Sequence, residues 1–84
     1  MLITSLNNDR IKELVKLKEK KYRDSNKLFF IEGYDIVSEA YKNGVIKELY
    51  VLDGVECSMD VSITYVSMDV MKKIIVNIFH AQMF

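Results

Sequence analysis

Leu28-Phe29-Phe30-Ile31-Glu32-Gly33 is the stretch that decides the fold. Four apolar residues in a row, with no polar break, read as a short buried strand that Glu32-Gly33 closes. The period then changes. Ile36, Val37, Ala40 and Tyr41 share one face of a helix over residues 34–43, with Asp35 in its first turn and Lys42 in its last. Gly44 follows as a left-handed terminator. Residues 46–52 are strand-prone through Ile46, Leu49, Tyr50, Val51 and Leu52, and Asp53-Gly54 turns the chain away. Strand, short helix and strand in that order imply a right-handed crossover and parallel pairing.

Working outward, Asn8 is placed to cap a helix whose first turn holds Asp9. Ile11, Leu14, Val15 and Tyr22 fall within an arc of about 100° at helical period, so one amphipathic helix is expected, with Tyr22 on the core side. Lys18 sits in the middle of that arc and breaks the pattern. On another face Lys12, Lys16, Lys20 and Arg23 lie within about 80° of one another, a basic stripe as long as the helix. Downstream, Val61 to Val66 reads as a further strand. Ser67 is placed to cap a last helix running from Met68 through Met71 to Ile74, with both methionines filling gaps in the core. The expected class is α/β, a three-layer α/β/α sandwich around a small, mostly parallel or mixed sheet. No repeat, linker or low-complexity segment interrupts the chain, and it holds no proline.

With 84 residues the chain makes one domain, residues 1–84, with room for a binding surface and none for a cofactor lobe. One cysteine, Cys57, rules out an internal disulfide and favours a reducing compartment, so a cytoplasmic site is expected. No apolar run approaches the ~18–20 residues of a membrane span. The net charge of zero hides an asymmetry. Residues 1–30 carry eight cations against four acids, and residues 31–84 carry four against eight. A basic arm on an acidic body points to a polyanionic partner.

Neither catalysis nor metal binding is expected. His80 and Cys57 are single, with no second ligand at metal spacing and no nucleophile set around them. Three scattered glycines form no phosphate loop. At Glu32-Gly33 two readings stand side by side. Gly33 allows close approach of backbone to a ligand while Glu32 holds the loop, or Gly33 supplies a tight turn into the helix and Glu32 caps it.

Taken in order, Ile3-Thr4-Ser5-Leu6, Asn8, Lys12, Leu14, Arg23, Phe29 to Gly33, Val37, Glu39-Ala40, Gly44, Ile46 to Val51 and Val70 to Ile74 form a pattern. It resembles the N-terminal substrate-binding domain of SpoU-type RNA 2′-O-ribose methyltransferases, over roughly residues 3–74. The resemblance implies a fold shared with kink-turn-binding ribosomal proteins and a role in docking structured RNA, ribosomal or transfer. It also implies a separate knotted domain that binds S-adenosylmethionine and methylates the ribose. That cofactor and its catalytic residues are expected outside this chain, which by itself is expected to be inactive. The expected RNA-binding residues are the cations of the basic stripe and their neighbours, Arg10, Lys12, Lys16, Lys20, Lys21, Arg23 and Lys27, suited to phosphate contacts, together with Glu32 and Gly33 at the turn.

Two departures from the family stand out. Asp9 replaces a customary proline, and after Ile74 a polar turn into Pro-Gln-Gly is replaced by Ile75 to His80 and Ala81-Gln82-Met83. The chain is expected to stop at a domain edge. Ile75, Val76, Ile78, Phe79, Met83 and Phe84 are expected to return as an apolar edge strand that pairs with a second copy. A stand-alone RNA-binding module of ribosomal-protein type, and a remnant serving protein interaction, remain the alternatives.

Overall fold

A computed structural model describes residues 2–78, with side chains through Val76. Strand β1 (Leu2–Ile3) leads to helix α1 (Asp9–Val15), a 3₁₀ turn (Lys16–Lys18) and helix α2 (Lys20–Asn26). Helix α3 (Tyr34–Lys42), strand β2 (Leu49–Leu52), strand β3 (Ile63–Val66) and helix α4 (Met68–Ile78) complete the order. The three strands make one fully parallel sheet in the order β1-β3-β2. The result is a small α/β fold of a three-stranded sheet and four helices.

The central strand follows the pleat: Thr64 and Val66 are buried while Ile63 and Tyr65 are half-buried. Val66 meets Ile3, Ile11, Val70 and Ile74 in the main core, so α1 and α4 pack together over one face of the sheet. Each fully buried Val or Ile side chain contributes about 1.5–3 kcal/mol. Two polar bonds tie the ends of this layer. Lys73 Nζ donates to the Leu6 carbonyl at 2.6 Å, and the Ser67 N–H donates to the Ile3 carbonyl at 3.0 Å. Thr64 is buried without penalty because its hydroxyl donates to Glu48 Oε1 at 2.7 Å.

The local signals for caps and turns hold. Asn8 Oδ1 accepts from the Arg10 N–H at 2.9 Å, Ser67 Oγ accepts from the Val70 N–H at 3.4 Å, and Gly44 ends α3 with φ +67. Other expectations need correction. Leu28–Ile31 belongs to no strand. It runs without regular structure, with Phe30 against the core and Phe29 76% exposed. The neighbour of β3 on the side away from β2 is β1, two residues near the start of the chain, too short for periodicity to detect. Without that strand the crossover does not form as expected, and α3 buries no residue completely.

The amphipathic helix is also broken. At Lys16 the chain tightens to 3₁₀ and Glu19 is extended (φ −94, ψ 124), so α1 and α2 are separate helices. The gain is Leu17. On a continuous helix it lies about 60° outside the apolar arc, whereas here it is only 6% exposed and Lys18 turns to solvent. Met68 stands in the first turn of α4 and is exposed, while Met71 packs against the core as expected. Residues 75–78 continue α4 and form no edge strand. The rest of the expected pairing segment, Phe79 to Phe84 with His80, lies outside the described residues. Among the described residues no helix is long and apolar enough to cross a membrane.

Candidate nucleic-acid interface

The cations expected along one helix are spread over α1, the 3₁₀ turn and α2, and their side chains are engaged in different ways. Arg23 is committed to the fold. Its guanidinium donates to the Leu17 carbonyl at 2.7 Å, a carbonyl that a continuous helix would pair with the Lys21 N–H. Arg10 reaches across to the sheet, with Nη2 3.8 Å from Glu48 Oε1. Glu48 therefore joins α1, β2 and β3 through Arg10 and Thr64, and sequence reading did not single it out. Tyr50 lies in the same corner. Its burial pushes the phenol pKa up, against the pull of the nearby Arg10 charge.

Lys16 and Lys20 hold exposed ion pairs, to Glu13 at 3.0 Å and to Asp24 at 2.8 Å. Such pairs are worth only about 0–1 kcal/mol, so either ammonium can exchange its carboxylate for a phosphate. Lys12, Lys21 and Lys27 are exposed, and their ammonium groups make no ion pair or hydrogen bond with the described residues. Lys27 closes α2 in the left-handed region at φ 54, which no other described non-glycine residue occupies.

Tyr22 is not a core residue. Its hydroxyl donates to Glu13 Oε2 at 2.9 Å, and Lys16 Nζ stands 6.0 Å from the ring centroid. Glu13, Lys16 and Tyr22 thus brace the two helices across the break. The Lys16 hydrogen bond, then the Tyr22 hydrogen bond, hold the Glu13 carboxyl below its ordinary pKa, and the bond to Glu13 holds the Tyr22 phenol above its own. The lowered carboxyl contributes stability above its unfolded value and loses it as pH falls through the folded one. The raised phenol contributes below its unfolded value and loses it as pH rises through the folded one. The brace is therefore complete in the neutral range and opens toward both extremes. In Tyr22→Phe the Glu13 midpoint moves up toward the ordinary carboxylate range, as followed by carboxyl-carbon NMR. An unmoved midpoint would mean that the hydroxyl does not reach Glu13 in solution.

Glu32 and Gly33 form the exposed lead into α3. Gly33 is the N-cap at φ +107, a backbone that L side chains rarely adopt, and nothing lies within 4 Å of where a Cβ would stand. The turn requirement is therefore met by Gly33, while no side chain caps α3, and Glu32 does not act as the cap. A cleft of about 620 Å³ opens between residues 28–33 and the start of β2, with Arg10, Lys27, Phe30, Glu32 and Tyr50 on its walls. Cys57 lies away from it, half-buried beside Glu56, Ser58 and Tyr65. Among the described residues no cluster of three His, Cys, Asp or Glu is arranged to hold a metal.

The structure is that of a small α/β domain with a parallel sheet, exposed cations on two short helices and an open cleft beside them. A family model described as the MRM3-like substrate binding domain matches residues 8–76. The chain belongs to that family, as its resemblance to the substrate-binding domain of SpoU-type enzymes implies. It is 38% identical to the 23S rRNA (guanosine(2553)-2′-O)-methyltransferase RlmP of Bacillus subtilis (strain 168) over a match covering 68% of this chain. The chain spans 27% of that relative's length.

Proposed function

We propose that this domain docks structured RNA, ribosomal RNA first, for methylation of a ribose 2′-hydroxyl by a separate domain that binds S-adenosylmethionine. The observation that supports this most is the family match over residues 8–76, joined to a relative named for 2′-O-methylation of 23S rRNA. The chain's own part is electrostatic positioning. Phosphates fall to Lys12, Lys21 and Lys27, which are free of ion pairs among the described residues, and to Lys16 and Lys20, whose exposed pairs exchange. Arg10 and Arg23 hold the surface in shape, and Glu32-Gly33 borders it. The same reading favours an α/β/α arrangement like that of the kink-turn-binding ribosomal proteins, with α1 and α4 on one face and α3 on the other. A cytoplasmic site suits both an RNA substrate and the free Cys57.

Fluorescence anisotropy with a structured rRNA fragment, repeated from ~50 to ~200 mM salt, tests the reading. Affinity is expected to fall steeply, with a log–log slope of roughly 0.7–0.9 per phosphate contact. Binding that ignores salt, or no binding to any structured RNA, removes RNA docking as the function.

A further inference from the structure

Two large aromatic rings face solvent on either side of the Glu32-Gly33 turn. Phe29 is 76% exposed and Tyr34 is 80% exposed. They are the most exposed of the large apolar and aromatic side chains among the described residues. Neither makes a hydrogen bond or ring contact with the described residues, whereas Phe30, next in the chain, turns inward against the core. Leaving a phenyl ring in water forgoes the burial that would otherwise stabilise the domain. Lys27, Phe29 and Gly33 line the cleft, Tyr34 follows Gly33 directly in the chain, and nothing lies within 4 Å of where a Cβ would stand at Gly33.

We propose that Phe29 and Tyr34 are stacking contacts for unpaired nucleobases of the bound RNA, with Lys27 taking a neighbouring phosphate. This inference rests on RNA docking as the function. The chemistry of the patch favours bases over phosphates as the central contact. Glu32 and Asp35 lie in the same stretch and would repel a bare phosphate backbone, but a carboxylate accepts from the amino and imino groups of base edges. Aromatic faces accept any base, and RNA-binding surfaces read single-stranded loops by such stacking. The cations on α1 and α2 then set position, and the two rings distinguish looped from fully paired RNA.

The test compares a hairpin with an unpaired loop against a fully paired duplex of equal length, each bound to the wild-type chain, to Phe29→Ala, to Tyr34→Ala and to Phe29→Trp. Both rings are outside the core, so the alanine variants should unfold at the wild-type temperature. Loop affinity is expected to fall about 5- to 100-fold per ring removed, while duplex affinity and the salt slope stay unchanged. Phe29→Trp should keep loop affinity. The chain holds no tryptophan, so the emission of this variant reports on that position alone, and it should be quenched by the hairpin and not by the duplex. Wild-type loop affinity in both alanine variants overturns the proposal, as does an equal loss toward hairpin and duplex, or unquenched Phe29→Trp emission at saturation. If the wild-type chain binds neither RNA, the docking function itself fails. If it binds the hairpin but the alanine variants do so equally well, only the stacking contacts fail.

Discussion

Replacing Lys12, Lys21 and Lys27 together by Gln is expected to weaken binding to structured RNA by roughly two to three orders of magnitude at ~0.1 M salt, and to lower the salt slope by about 2–3. The size follows from counterion release. Each phosphate contact contributes roughly a factor of 5–8 at that salt, and these three ammonium groups give up no ion pair with the described residues on binding. They also contribute nothing to the fold among the described residues, so thermal unfolding should not move. That separates this variant from one lacking Lys12, Lys16, Lys20 and Arg23, the residues aligned on an ideal helix. Arg23 donates to the Leu17 carbonyl at 2.7 Å, and its loss would strip a partner from the break between α1 and α2 as well as remove a charge. Anisotropy across a salt series measures both quantities. An unchanged slope in the triple variant would place the RNA on another face of the domain.

Ile74→Ala is expected to lower the unfolding temperature by roughly 8–40 °C. Ile74 is fully buried where α4 meets α1 and the sheet. Truncating such a side chain costs about 2–5 kcal/mol, because the cavity adds to the lost transfer energy. A domain of this size holds only about 4–13 kcal/mol in all, and each kcal/mol moves the midpoint by about 4–8 °C. Circular dichroism melts of the two proteins decide it. A shift below about 5 °C would show that α4 is not docked through Ile74, and the core around Val66 and Ile11 would need redrawing.

Much of the fold was legible because it depends on neighbours in the chain. The Asn8 and Ser67 caps, the Gly44 and Gly54 turns, the helix over Tyr34–Lys42 and the strands ending at Leu52 and Val66 all follow from side chains within a few residues. The site was less legible. The cations were identified by type, but residue type does not show which lysines are tied up. Glu13, Asp24 and Glu48 take up Lys16, Lys20 and Arg10 through distances that sequence spacing sets only for the first two. Phe29 was hidden in an unbroken apolar run. With Leu28, Phe29, Phe30 and Ile31 all apolar, no alternation marks which ring turns outward.

The sequence by itself determined the α/β class, the places of β2 and β3, the separation of basic and acidic halves, and the likeness to an RNA methyltransferase substrate-binding family. Composition, period and motif order carry those. Tertiary structure alone decided three things. It placed Leu2–Ile3 beside β3 and left Leu28–Ile31 outside the sheet, broke the first helix so that Leu17 is buried and Lys18 is not, and turned Phe29 and Tyr34 to solvent. All three depend on long-range competition for one small core. Burying Leu17 against that core outweighs a turn of regular helix, and Phe30 reaches the core from an irregular segment without joining the sheet.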